Sequence, residues 1–148
     1  DDYHTKINEI IENENIVNVD IEPINMMDHE MNICINKLDI IRKEGIIVYL
    51  VIEQETTSIM ITSVKQKYYF DKENELFVSS VKMNEGMILN NLCYETMISY
   101  NGKFFYQERE SMEEAAINLN NNIFNEIKNG RTIEEIKELY SNYEENEI

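Results

Sequence analysis

The chain has 148 residues, 43% hydrophobic and 28% charged, with 29 acidic against 13 basic side chains and a net charge of −16. That length fits one domain, and the apolar fraction is enough for a core, which argues against wholesale disorder. Direct binding to nucleic acid or to an anionic membrane needs clustered Lys and Arg, and the longest basic run here is Arg42-Lys43.

The charge is unevenly placed. Residues 1–30 hold nine acids and one Lys, residues 31–107 nine acids and eight basic residues, and residues 108–148 eleven acids and four basic residues. The middle is therefore nearly neutral and the two ends carry the field. The excess of Ile, Asn, Lys, Glu and Tyr is the habit of an AT-rich genome, so an Asn is not by itself a functional mark.

Residues 3–14 put Ile7, Ile10 and Ile11 at helical spacing and predict a short amphipathic helix. "IVNVDI" at 16–21 alternates and predicts an edge strand before Pro23. Asp28 then suits an N-cap, Met31, Ile35, Leu38 and Ile41 share one stripe, and Gly45 stands where a helix ends. This spacing predicts a second helix, against a rival strand through "MNICIN".

From Gly45 the period becomes two. Residues 46–53 are apolar on both faces and read as a central strand. "QETT" reads as a turn, and residues 58–64, 67–70 and 76–81 as three further strands, the last two flanking the polar turn "DKENE". Residues 83–95 fit a short helix or a strand.

"MISYNGKFFY" at 97–106 is the strongest local signal. Asn101-Gly102 tolerates the positive φ that both central positions of a type I′ hairpin turn require. Ser111 with Glu114 reads as a capping box, followed by a stripe of Met112, Ala116, Leu119, Ile123 and Ile127. Asn118, Asn121, Asn122 and Asn125 fall mainly outside that stripe. Gly130 ends the helix. Thr132 with Glu135 repeats the box and opens a last helix carrying Ile133, Ile136, Leu139, Tyr140 and Tyr143.

The expected fold class is α+β: a mostly antiparallel sheet, meander plus Asn-Gly hairpin, with N-terminal helices and two C-terminal helices. It forms a single domain over 1–148, divided into an acidic segment 1–30, a near-neutral sheet region 31–107, C-terminal helices 108–143 and a frayed tail 144–148.

Chemistry is hard to find. His4 and His29 are the only histidines, and there is no HxxxH, CxxC, HExxH or G-x-S-x-G spacing and no Gly-rich phosphate loop. Cys34 and Cys93 read as two buried thiols. Glu53 with Glu55, and Glu108 with Glu110, would share a strand face as a metal or acid/base pair needs, but 29 acids also give such pairs by chance. The expectation is no catalytic residue, no metal and no cofactor. No cationic start precedes an apolar run, and no window reaches the ~20 residues of a transmembrane helix, so the reading is a soluble, cytoplasmic protein.

Consecutive aromatics on a strand point to opposite faces, so one of Tyr68/Tyr69 and one of Phe104/Phe105 should leave the core. With Tyr69 and Phe105 as aromatic anchors, the candidate contact residues are Glu108, Glu110, Glu113, Glu114, Glu134, Glu135 and Glu138. They point to a small non-catalytic protein-binding module. It would occlude the basic, nucleic-acid-binding surface of another protein, a profile of size and charge shared with small phage inhibitors and toxin-immunity proteins. A different outcome is carried by element order and charge, which resemble those of the small dimeric chaperones of type III secretion. That resemblance implies a homodimer through the sheet or the 112–128 helix. A carboxylate enzyme using a divalent metal is the third possibility and the weakest.

Overall fold

The computed structural model describes residues 24–28, 31–84 and 91–144. Among the described residues, seven strands come first: β1 (Ile24–Asp28), β2 (Met31–Lys43), β3 (Ile46–Ser58), β4 (Ile61–Phe70), β5 (Glu75–Met83), β6 (Tyr94–Tyr100) and β7 (Lys103–Glu110). Two helices follow, α1 (Glu113–Lys128) and α2 (Ile133–Tyr140). Spatial strand order equals sequence order, and each neighbouring pair is antiparallel. The helix expected at 3–14, the strand at 16–21, both histidines, residues 85–90 and the tail beyond 144 lie outside the described residues.

The Asn-Gly hairpin forms as its residues require. Asn101 and Gly102 have φ of 50° and 86°, the pair of positive values that a type I′ turn needs. Glu44 and Gly45 do the same between β2 and β3, at 53° and 81°.

That second turn overturns the helix expected at 28–44, because residues 31–43 are a strand. The reason is a β-bulge. Ile35 pairs with Gln54 but Lys37 pairs with Glu53, which leaves Asn36 as an extra residue. The bulge brings Ile35, Leu38 and Ile40 onto one face, so an apolar spacing of three imitates a helical stripe. "QETT" is not a turn either, since β3 runs through it to Ser58. The reversal is at 59–60, where the Ser58 hydroxyl accepts from the Met60 and Ile61 amides at 3.1 Å each. The expected strands 58–64 and 67–70 are in turn one strand, β4.

Ser111 does not cap α1. The N-cap residue is Met112, with extended backbone and no side-chain cap, and its side chain is 61% exposed instead of joining the stripe. Ala116, Ile123 and Ile127 are buried as expected, and so is Asn120. Its amide donates to Ser80 Oγ at 2.6 Å, and Ser80 Oγ shares a 2.7 Å bond with Thr96 Oγ1. The Thr132–Glu135 capping box of α2 is complete in both directions. Leu139, placed on the α2 stripe by its spacing, is exposed. Cys34 and Cys93 form no disulfide and are half-buried, not buried.

Both helices lie on one face of the sheet. Tyr49, Val51, Tyr69, Leu76, Val78 and Ile98 pack there against Ile123, Ile127, Ile133 and Ile136. The opposite face carries a second cluster of Ile35, Ile47, Leu50, Ile52 and Phe70. β3 contributes to both clusters and is the central strand that its two-sided apolar sequence predicts. Among the described residues, no helix is long and apolar enough to cross a membrane.

Candidate protein-interaction surface

Seven acids were singled out by sequence, and the fold gives them different surroundings. Glu108 and Glu110 stand two apart on β7, on the same face as Tyr106, whose hydroxyl donates to Glu108 Oε2. Desolvation raises the Glu110 pKa, and the Glu108 charge and its hydrogen bond raise it further. Burial, then the bond to Glu108, likewise raises the Tyr106 phenol. Glu113 and Glu114 occupy the exposed first turn of α1, directly after exposed Met112. Neither they nor Glu138 on α2 make a hydrogen bond or ion pair among the described residues.

The other two acids of α2 are engaged. Glu134 Oε1 accepts from Asn74 Nδ2 at 2.8 Å and from Tyr100 Oη at 3.4 Å. Glu135 Oε1 accepts from the Thr132 amide at 3.1 Å, and Oε2 meets Arg131 at 3.4 Å. The Thr132 bonds, more than Arg131, lower the Glu135 pKa.

Asn101 does more than turn the chain. Its Oδ1 accepts from the Glu75 amide at 2.8 Å, and its Nδ2 donates to Asn74 Oδ1 at 3.0 Å. Asn74 passes the connection on to Glu134. Two hairpin turns and the start of α2 are thus bound into one hydrogen-bonded bracket.

The aromatic anchors require correction. Tyr69 and Phe105 are 0% and 6% exposed, inside the helix-covered core, and present no ring to a partner. Alternation fails at Phe105 because it is a bulge residue: Ile98 pairs with Tyr106 and Ser99 with Phe104, leaving Phe105 extra. Phe105 and Tyr106 therefore both enter the same cluster. Tyr68 takes the opposite face, stacked on Phe77 at 4.1 Å, and burial pushes its phenol up to about 12.

Strand β7 ends the sheet order, yet part of its outer edge is sealed by the chain itself. The Gln107 amide donates to Asn142 Oδ1 at 2.9 Å, and Asn142 Nδ2 donates back to the Gln107 carbonyl at 3.2 Å. The Asn142 and Tyr143 amides both reach the Phe105 carbonyl at 3.0 Å. A side-chain amide here completes the ladder a neighbouring strand would supply. Sequence reading overlooked Asn142, and no local pattern marks it.

The carboxylate pairs do not assemble further. Glu53 faces Lys67 at 3.7 Å, Glu55 is exposed, and no group of three metal-ligating side chains converges among the described residues. Lys67 itself is nearly buried, with its ammonium 4.0 Å over the Phe124 ring, and burial lowers its pKa. Compared with protein-family models, curated proteins and solved structures, the chain finds no match.

Proposed function

We propose that this chain is an acidic, non-catalytic protein-binding module that covers a basic surface, such as a nucleic-acid-binding channel, on another protein. One observation carries the reading: Glu113 and Glu114 are exposed and make no hydrogen bond or ion pair among the described residues, beside an exposed Met112. Beyond favouring the helix dipole, they serve the fold through no bond, whereas Glu134 and Glu135 are bonded. An apolar side chain next to unpaired charge suits an interface, where the apolar group supplies contact and the charges select and steer. Glu108 and Glu110 extend the acidic run along β7, and Glu138 adds to it from α2. The sealed edge at 105–107 argues against a homodimer made by extending the sheet at that point.

The test is retention of proteins from a bacterial lysate on the immobilised chain and on its Glu113→Lys/Glu114→Lys/Glu138→Lys variant. A basic nucleic-acid-binding protein should be held at low salt, released at high salt, and not held by the variant. Identical retention by both chains, or retention that salt does not weaken, sinks the proposal.

A further inference from the structure

We propose that the sheet face opposite α1 and α2 is the seat of the chain's own residues 1–23, which cover it with the apolar stripe of 3–14. The face is defined by register. Leu38 pairs with Ile52, Ile52 with Tyr68, Tyr68 with Phe77, Phe77 with Ser99 and Ser99 with Phe104. Partners in antiparallel register share a face, so this row runs from β2 to β7, roughly 24 Å at ~4.8 Å per strand.

Its burial is deeper than an open face allows. Leu50 and Ile52 are 0% exposed, Ile35 2% and Ser99 4%. Yet α1 and α2 pack on the other face, and among the described residues no helix joins this cluster. An antiparallel sheet with one face in water carries polar side chains there. This one carries Ile35, Ile47, Leu50, Ile52 and Phe70.

The length and attachment of residues 1–23 fit the task. Ile24 opens β1 and pairs with Ile35, so the segment is tethered at the margin of the cluster. Pro23 cannot donate to a ladder and suits the point where a chain leaves a sheet. Residues 15–23, at up to ~3.3 Å each, span about 30 Å, enough to cross the row. A helix over 3–14 would measure about 18 Å. Tyr3, Ile7, Ile10 and Ile11 share one side of it, and Glu9 and Glu12 fall outside that stripe. Residues 85–90 cannot serve instead. They follow the Met83 end of β5, whereas Phe70, the partner of Leu50, pairs with Glu75 at the other end, roughly 26 Å away.

The experiment is methyl NMR on the full chain with ¹³C-labelled Ile, Leu and Val methyls. Nuclear Overhauser contacts are expected between Ile7, Ile10 or Ile11 and Leu38, Leu50 or Ile52. They should stay within one chain when labelled and unlabelled protein are mixed. Ile7→Ser/Ile10→Ser/Ile11→Ser should shift the Leu50 and Ile52 methyls, leave those of Ile123 and Ile136 in place, and raise binding of a hydrophobic dye several-fold. Absence of the contacts in the parent chain overturns the proposal. Unmoved Leu50 and Ile52 methyls in the variant also overturn it, because the sheet would then close this face by its own curvature. Contacts between chains overturn it too, by giving the cover to a second copy. Should the triple variant fail to fold, the contacts in the parent chain decide the matter by themselves.

Discussion

The acids in the first turn of α1 and those in the first turn of α2 are the same chemical group, set one position apart relative to their N-caps, and they do different things. In α2, Glu135 closes a capping box and Glu134 ties the helix to two hairpin turns. In α1, Glu113 and Glu114 make no hydrogen bond or ion pair among the described residues, and the N-cap residue is an exposed Met. The contrast shows that net charge alone does not mark a binding surface. On the proposed function, the acids that meet a partner are those that make no hydrogen bond or ion pair among the described residues.

The sharpest way to test the independence of the two helices is through their apolar anchors. Ile123 of α1 and Ile136 of α2 are both 0% exposed, and replacing either by Ala should cost about 2–5 kcal/mol in urea unfolding. Equal costs would mean that the helices unfold with the sheet as one unit. A much smaller cost for Ile136→Ala would mean that α2 opens on its own.

The caps come next. Thr132→Ala should cost about 1 kcal/mol, because it removes a bond that the Glu135 amide makes. Ser111→Ala should stay within about 0.5 kcal/mol, because Ser111 caps nothing. Equal losses at the two sites, in matched thermal melts, would erase the contrast between the helix starts.

Acidification should separate the regions in opposite directions. The folded pKa of Glu110 is raised, so its contribution is favourable at low pH and is lost as pH rises through that value. Glu110→Gln should therefore stabilise the chain at neutral pH, and the gain should vanish below the ordinary glutamate pKa of about 4.3. The folded pKa of Glu135 is lowered, so its contribution holds above the ordinary value and is lost as pH falls through the folded one. Hydrogen exchange followed from pH 7 downward should show α2 losing protection while the end of β7 does not. Loss at both sites together would contradict the assignment. The smallest effect on stability belongs to Glu113→Gln with Glu114→Gln, a few tenths of a kcal/mol through the helix dipole. Calorimetry showing a larger loss would mean these acids do have a structural task.

How much of this could be read from the chain depended on how local the cause was. The Asn101-Gly102 turn, the Thr132 capping box and the Ala116–Ile123–Ile127 stripe each act within a few residues, and each reads correctly. Bulges defeat such reading. The extra residue at Asn36 turned strand spacing into helix spacing, and the one at Phe105 placed two consecutive aromatics on one side. The true β3–β4 turn rests on a single hydroxyl, Ser58, amid Ile and Met that carry no turn signal. Of the candidate contacts, the sequence could name the acids but not sort them, since the partners of Glu134 lie 34 and 60 positions away.

The Asn142 seal has a consequence for how the chain is made. Gln107 and Asn142 are 35 positions apart, so β7 leaves the ribosome well before the residue that covers its edge. During that interval the edge is an open template for any extended segment nearby, including a second nascent copy. The closing step comes when 141–143 dock, and it needs α2 already in place to deliver them. Until residues 141–143 dock, the folded sheet thus keeps an adhesive edge, and their docking converts it into one that is not.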